Sequence, residues 1–246
     1  MKKILSPVRR AVEDYQMIQS GDRICVGVSG GKDSVLLLAA LKQLSRFYPK
    51  PFSVFGVTID TGAPDMDFTP VRQFCEREQI EYVVRKTDIY DIVFDVRKES
   101  NPCSLCSVMR KGALNTAAVE LGANKVALGH NYDDVLETFF MNLIHEGRIG
   151  CFRPVTDLSR TGLCVIRPLI YMTENSVRSG VKRCGLPIVV NTCPANGHTQ
   201  RQDTKELLDL LEQHYDGMKK RVFGALRRAD IDGWGTEAPR RSRKIK

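Results

Sequence analysis

The sequence has no long hydrophobic run, and its longest uninterrupted apolar stretch is the short segment from Val35 to Leu41. A membrane-spanning helix needs about 20 such residues, so we expect no membrane association. Basic residues follow Met1, but the apolar segment of a secretory signal does not follow them. The sequence contains no internal repeat. These absences favour a cytoplasmic protein.

A disulfide framework is also not expected, although the chain has 8 cysteines, because cytoplasmic thiols stay reduced. Five cysteines lie in apolar or helical surroundings, where free cysteine is commonly a small buried residue. We interpret these five as structural: Cys25, Cys75, Cys151, Cys164 and Cys184.

The composition predicts one sizeable globular domain, with 42% hydrophobic and 27% charged residues among 246. The net charge of +8 is concentrated at the C-terminal end, since the segment from Met218 to Lys246 holds ten basic and three acidic residues. Such an end favours a polyanionic partner, and a merely solvated tail is the alternative. We expect an N-terminal segment (1–21), a catalytic domain (22–214) and a basic C-terminal helix and tail (215–246), poorly ordered from Gly233 onward.

Short β-rich runs alternate with longer helical ones along the chain. The predicted strands are 23–28, 52–59, 82–85, 126–128, 164–167 and 188–190. The predicted helices are 34–47, 69–79, 108–121, 132–144 and 175–184. Strands buried on both faces and alternating with helices indicate an α/β fold with a doubly wound, mostly parallel sheet.

The first predicted strand ends in a glycine-rich turn that leads into a helix. This turn, called the phosphate loop below, consists of Ser29, Gly30, Gly31, Lys32, Asp33 and Ser34. Backbone N–H groups of such a turn, the helix N-terminus and the lysine could together hold a pyrophosphate. The spacing is not that of a Walker A loop, and an ordinary glycine turn is the alternative. The motif resembles the PP-loop of the ATP pyrophosphatases, whose members split ATP into AMP and pyrophosphate.

A second polar cluster follows the predicted strand 126–128. It contains Gly129, His130, Asp133 and Asp134, at the start of the next helix. Carboxyl ends of parallel strands meet at one edge of a sheet, so these residues should face the phosphate loop. The acids could instead only complement the helix dipole, but beside an ATP site we favour a metal-binding or catalytic role.

Three further cysteines, Cys103, Cys106 and Cys193, lie in polar sequence. A single Cys-x-x-Cys is compatible with zinc, redox and iron–sulfur sites. A structural zinc needs four ligands, and the chain has no second such pair. Three thiolates around a four-iron cluster would leave one iron open to another ligand. A zinc site completed by His198 stays the alternative.

These motifs together resemble those of the tRNA 2-thiocytidine synthetases, the TtcA family. The resemblance runs from about Asp22 to Gln202, most of the chain. Four blocks carry it: Ser29–Ser34, Cys103–Ser107, Leu128–Asp134, and Cys193 followed eight residues later by Arg201-Gln202. Related 2-thiouridine enzymes of the TtuA type also have zinc-binding cysteine pairs at both ends, which this chain lacks.

The resemblance implies a sheet of the adenine nucleotide alpha hydrolase-like type and an ATP-dependent tRNA-cytidine 2-sulfurtransferase. The C2 oxygen of cytidine 32 in the anticodon loop would be adenylated and then replaced by sulfur held on a 4Fe-4S cluster. Asp33 would help to bind Mg²⁺, and Asp60 would lie near the adenosine. The partners would be tRNA, ATP, a sulfur donor (sulfide or a cysteine desulfurase persulfide) and a second copy of the chain in a homodimer.

We expect catalytic roles for Asp134, Asp133, Lys32 and Arg110. Arg110 is a departure from the family pattern, because 2-thiouridine relatives carry a catalytic lysine at that place. Arginine cannot act as a base, so we expect an electrostatic role for Arg110. The alternatives are thiolation of another base, a PP-loop tRNA ligase or amidating enzyme, and a non-enzymatic nucleotide-bound redox or zinc sensor.

Overall fold

A computed structural model describes residues 1–98, 102–190, 192–193 and 200–236. Its centre is a six-stranded sheet with strand order β3-β2-β1-β4-β6-β5, in which only β5 runs antiparallel to its neighbour. The strands are β1 (Arg23–Gly27), β2 (Ser53–Asp60), β3 (Glu81–Lys86), β4 (Lys125–Ala127), β5 (Val155–Leu158) and β6 (Leu163–Ile166).

Helices cover both faces of this sheet. They are α1 (Lys2–Asp14), α2 (Lys32–Ser45), α3 (Thr69–Arg77), α4 (Ile89–Asp91), α5 (Pro102–Glu120), α6 (Tyr132–His145), α7 (Glu174–Cys184), α8 (Gln200–His214) and α9 (Met218–Ala229). The short α4 continues as a π-helical turn over Ile92–Val96, and a 3₁₀ turn covers Ile231–Gly233. The predicted α/β class with a mostly parallel sheet is confirmed.

Successive buried side chains of β1 belong to two different core clusters, one on each face of the sheet. This explains why helices cover both faces. Ile24 and Val26 belong to the larger core cluster, which α1, α2 and α7 complete, whereas Cys25 points to the opposite face. The smaller cluster on that face includes Phe55 of β2 and Leu114 of α5. Since successive side chains of a strand point to opposite faces, a strand that is apolar throughout needs a helical layer on each side.

The predicted strand 188–190 is wrong. No strand pairing forms there in the described part of the chain; Val189 N–H instead donates to the carbonyl of Gly30 at 3.0 Å. Val189 is buried, but Ile188 and Val190 are 51% and 77% exposed. Val189 therefore packs against the phosphate loop, and the segment does not extend the sheet.

The expectation of poor order from Gly233 onward is wrong for Trp234, which is fully buried. Its indole N–H donates to the carbonyl of Phe152 at 2.8 Å, and its own carbonyl accepts from the Tyr15 hydroxyl at 3.0 Å. Residues 237–246 lie outside the described residues. The three-part division of the chain stays a prediction, although α1 and α9 both contribute to the larger core cluster.

None of the described helices is both long enough and apolar enough to cross a membrane. Three of the five cysteines that we interpret as structural, Cys25, Cys75 and Cys151, are buried, and the other two are partly buried. All eight cysteines are described, and none forms a disulfide.

Candidate active site

The phosphate loop is a tight turn held by its own hydroxyl groups. The backbone N–H of Ser29 donates to the Ser34 hydroxyl oxygen at 3.1 Å, and that hydroxyl donates to the Gly31 carbonyl at 2.9 Å. Gly31 is the N-cap of α2 and has no side chain with which to cap it. The N–H groups of the first turn of α2 therefore point outward from the sheet edge, as an anion site requires.

Gly30 is the position where the loop tolerates no side chain. Its φ of +83° lies in the left-handed region, and an added Cβ would be 2.7 Å from the Cβ of Val189. Both the backbone conformation and the close approach of Val189 thus require glycine.

Replacing Gly30 with alanine should lower the free energy of unfolding by at least about 2 kcal/mol, from backbone strain and overpacking together. It should also weaken ATP binding, because Val189 and the loop must separate. Gly122→Ala is the matched control: its φ is +73°, but nothing lies within 4 Å of an added Cβ. Denaturant unfolding and ATP titration of both variants check this; equal losses in the two would refute a special role for the Val189 contact.

The loop after β4 packs directly against the phosphate loop. A Cβ on Gly129 would lie 3.1 Å from the backbone of Asp33. The amide of Asn131 donates to the Asp33 carboxylate at 2.9 Å. The sheet-edge argument thus correctly predicts that these two motifs meet, but Asn131, which joins them, was missed by sequence reasoning, although it stands inside the second motif.

Asp133 and Asp134 both have structural hydrogen bonds. Asp134 and Asn131 form a reciprocal cap at the start of α6, in which the Asn131 N–H donates to the Asp134 carboxylate at 2.8 Å. Asp133 accepts the backbone N–H of Glu174 at 2.7 Å. Asp134 therefore caps the start of α6. Both carboxylates still line the cavity described below, and burial raises the pKa of Asp134.

Lys32 lies between two carboxylates. Its ammonium is 2.9 Å from Asp33 and 3.3 Å from Glu174, and Glu174 also binds Lys205. Burial alone would raise the pKa of Glu174, but the two lysines hold it at about 2. Glu174 and Lys205 were missed by sequence reasoning, because α7 and α8 carry no motif that distinguishes these charges from surface ones.

Arg201 of α8 forms another ion pair across the site. Its guanidinium is 3.1 Å from both the Asp134 and the Glu137 carboxylates. Burial raises the pKa of Glu137, and Asp134 adds to that rise. The only signal for Arg201 in the sequence was its place in the resemblance to the thiocytidine enzymes, and it was not predicted as a site residue.

His130 and Asp60 are less directly part of the site. The Nδ1 atom of His130 accepts a hydrogen bond from Arg167 at 3.2 Å. Burial and the charge of Arg167 lower the pKa of His130 to about 3, so the ring is neutral at pH 7. Asp60 accepts the N–H of Gly62 at 3.1 Å. Neither side chain is among the described residues that line the cavity, and their roles in nucleotide binding stay predictions.

The three polar cysteines share one cavity wall. Burial raises the pKa of the Cys106 thiol, and Cys193 and Cys103 contribute to that rise. Arg110, one turn further along α5, opposes it through its charge and a hydrogen bond. The expected electrostatic role of Arg110 is thus consistent with its position. The proposed fourth zinc ligand, His198, lies outside the described residues.

One cavity of about 550 Å³ brings these elements together. The phosphate loop, Asp133 and Asp134, the three thiols, and Arg110 with Arg201 all line it. Its volume lies within the usual range for small-molecule sites. An apolar wall completes it, formed by Ile59, Met66, Phe68, Tyr90 and Phe94.

The donor atoms are chemically suited to the groups that the sequence suggests. Three thiols on one wall match the soft ligands of iron–sulfur clusters. Mg²⁺ bound to phosphates needs only one or two carboxylates, and Asp33 and Asp134 lie within electrostatic reach of each other. Within the described ranges, no three Cys, His, Asp or Glu side chains already surround a common metal position.

The fold and this loop together define a PP-loop protein, and residues 3–202 match the family model for the PP-loop domain. Curated relatives include two tRNA-cytidine(32) 2-sulfurtransferases. The protein from Geobacter sulfurreducens is 37% identical over 92% of this chain and 89% of its own length. The protein from Ralstonia pickettii is 35% identical over 92% of this chain and 72% of its own length. The chain belongs to the tRNA-cytidine(32) 2-sulfurtransferase family.

Solved structures support the fold assignment. The U34-tRNA thiolase NcsA from Methanococcus maripaludis, determined with its 4Fe-4S cluster, has a TM-score of 0.76 and 24% identity, over 92% of this chain and 78% of that protein. The NH3-dependent NAD synthetase from Campylobacter jejuni has a TM-score of 0.52 and 18% identity, over 90% and 86%.

Proposed function

We propose that this protein uses ATP to replace the C2 oxygen of cytidine 32 in tRNA with sulfur. The proposal rests on one observation: the phosphate loop and the three thiols line the same cavity. An ATP-dependent ligase or amidating enzyme needs the loop but not the thiols, and a nucleotide-bound redox or zinc sensor would not release pyrophosphate in response to tRNA. The relatives from Geobacter sulfurreducens and Ralstonia pickettii are tRNA-cytidine(32) 2-sulfurtransferases, which supports the choice of base and position.

The first step is adenylation of the base. The N–H groups at the start of α2 and the Lys32 ammonium bind the phosphates and stabilise charge that develops on the departing pyrophosphate. The C2 oxygen of cytidine attacks the α-phosphorus, and the bond from that phosphorus to pyrophosphate breaks. The ion pairs of Lys32 with Asp33 and Glu174 hold its ammonium at the loop.

The second step is substitution at C2. Hydrosulfide adds to C2 and loses its proton, and the C2–O bond to AMP breaks. Arg110 stabilises the negative charge of the incoming sulfur from its position beside Cys106. We assign Cys103, Cys106 and Cys193 as cluster ligands. A four-iron cluster held by three thiolates supplies one open iron position for an external ligand.

Asp134 and Asp133 line the same cavity as the phosphate loop and the three thiols. Asp134 is paired with Arg201 at 3.1 Å and belongs to the cap of α6, so its carboxylate has a fixed direction. We propose that Asp134 orients the base or, together with Asp33, a Mg²⁺ ion at the phosphates. Asp133 accepts a hydrogen bond from the N–H of Glu174 and so fixes the start of α7 beside it.

The basic C-terminal end of the chain would bind part of the tRNA backbone. On α9, Lys220 and Arg228 are exposed, whereas Lys219 is paired with Asp209 at 2.6 Å. Exposed basic residues contact phosphates without regard to sequence. Recognition of one cytidine must therefore come from the cavity, into which a loop base can be extruded at a cost of a few kcal/mol. A homodimer and the identity of the sulfur donor stay predictions.

Mass spectrometry of tRNA nucleosides tests the proposal. Anaerobically reconstituted protein, ATP, Mg²⁺, sulfide and a tRNA transcript should yield 2-thiocytidine together with pyrophosphate. A transcript with uridine at position 32 is the matched control and should stay unmodified. Formation of 2-thiouridine, or pyrophosphate release with an amine incorporated and no sulfur, would favour one of the alternative activities and reject this one.

A further inference from the structure

Two aromatic side chains line the cavity and belong to neither of the two hydrophobic core clusters of the described residues. Tyr90 and Phe94 both belong to the cavity wall, and each is only partly buried. Neither packs against the two core clusters. They pack against each other, with ring centroids 4.7 Å apart and planes inclined by 33°. The two rings therefore contribute little to the stability of the fold.

The local backbone holds this pair in place. Ile89 and Val93, one position earlier in each case, are buried and anchor the segment. The Tyr90 N–H donates to the carbonyl of Thr61 at 2.8 Å, which ties the segment to the end of β2. Phe94 lies within the π-helical turn Ile92–Val96. Such turns are rare and occur frequently at functional sites.

The aromatic pair lies on the side of the cavity near the thiols. The π-helical turn packs against α5, and α5 carries Cys103, Cys106 and Arg110. The phosphate loop belongs to a different part of the wall, at the ends of β1 and α2. A planar ligand on these rings would thus lie near the cysteines of α5.

We propose that Tyr90 and Phe94 form the stacking platform for the target pyrimidine, an inference that rests on the function proposed above. A base that leaves the anticodon loop loses its stacking on neighbouring bases, and aromatic side chains replace that interaction in RNA-binding proteins. The rings are uncharged and do not identify the base, so they act as positioning residues. They hold the plane of the pyrimidine while C2 changes its substituent.

The test uses variants that remove the ring but keep apolar bulk. Phe94→Leu and Tyr90→Leu are compared with Phe94→Tyr, which keeps an aromatic face. Phe47→Leu is the matched control, since Phe47 is 55% exposed at the end of α2 and does not line the cavity. The probe is an anticodon stem–loop RNA with pyrrolocytidine, a fluorescent cytidine analogue, at position 32. ATP affinity is measured separately by titration.

Stacking on wild-type protein should quench the probe, and Phe94→Tyr and Phe47→Leu should quench it equally. Phe94→Leu should abolish most of the quenching and raise the KM for tRNA roughly ten- to a hundredfold, with kcat and ATP affinity changed less than threefold. Unchanged quenching and KM in both leucine variants would overturn the platform. A tenfold loss of ATP affinity would also overturn it, because the rings would then hold the adenine of ATP. Quenching by a wild-type protein that makes no 2-thiocytidine would reject the proposed function and retain the platform.

Discussion

Replacing Cys103 with alanine should abolish thiolation of tRNA and leave ATP affinity within about twofold of wild type. The thiol is exposed on the cavity wall, so its removal opens no hole in the core. A cluster held by two protein thiolates would lose iron easily, and the variant should contain much less iron and acid-labile sulfide after anaerobic reconstitution. Nucleoside mass spectrometry, iron analysis and ATP titration measure the three quantities.

Cys184→Ala is the matched control for this experiment. Cys184 is partly buried, whereas Cys103 is exposed, and Cys184 ends α7 and does not line the cavity. It should thiolate tRNA at the wild-type rate and bind the same amount of iron. If Cys103→Ala thiolates as fast as Cys184→Ala does, Cys103 has no part in the sulfur chemistry. If it loses ATP affinity instead, its role is structural.

Replacing Lys32 with alanine should lower the rate of tRNA-dependent pyrophosphate release by about 10²- to 10³-fold, the effect of losing one preorganised donor at developing charge. The fold should survive, because Glu174 keeps its ion pairs with Lys205 and Arg178. In the proposed reaction Lys32 contacts ATP throughout, so ATP affinity should fall as well. Release of pyrophosphate is followed by a coupled enzymatic assay, and folding by thermal denaturation.

Lys42→Ala is the control on the same helix. Lys42 lies on α2 as Lys32 does, but its ammonium donates to the carbonyl of Gln79, away from the cavity. Its removal should change pyrophosphate release less than twofold. Equal rates for the two variants would mean that the loop backbone alone binds the phosphates, and that the lysine of the motif serves only to balance Asp33 and Glu174.

The parts of the site that could be predicted from sequence are those whose residues are neighbours in the chain or follow from strand direction. The phosphate loop needs two consecutive glycines, a lysine and a following helix, and all of these are contiguous at Ser29–Ser34. The meeting of that loop with Asp133 and Asp134 follows from strand direction, because parallel strands present their carboxyl ends at one edge. The pairing of β1 with β4 places both loops there.

The parts that could not be predicted depend on where distant elements pack. Glu174 and Lys205 become site residues because α7 and α8 reach the loop from elsewhere in the chain. The segment 188–190 has the composition of a strand, but its neighbour is the Gly30 turn, which offers a single hydrogen bond instead of a ladder. Trp234 follows a glycine in a charged stretch, and only the aromatic cluster of Tyr15, Phe152 and Phe223 explains its burial.

The side chain of Asn131 makes the two loops of the site mechanically dependent on each other. Its amide nitrogen binds Asp33 at one strand end, and its amide oxygen accepts the N–H groups of Asp133 and Asp134 at the other. A displacement of the Asp33 carboxylate would therefore be transmitted to the first turn of α6 through this amide. One side chain thus couples the two strand ends without the movement of a domain.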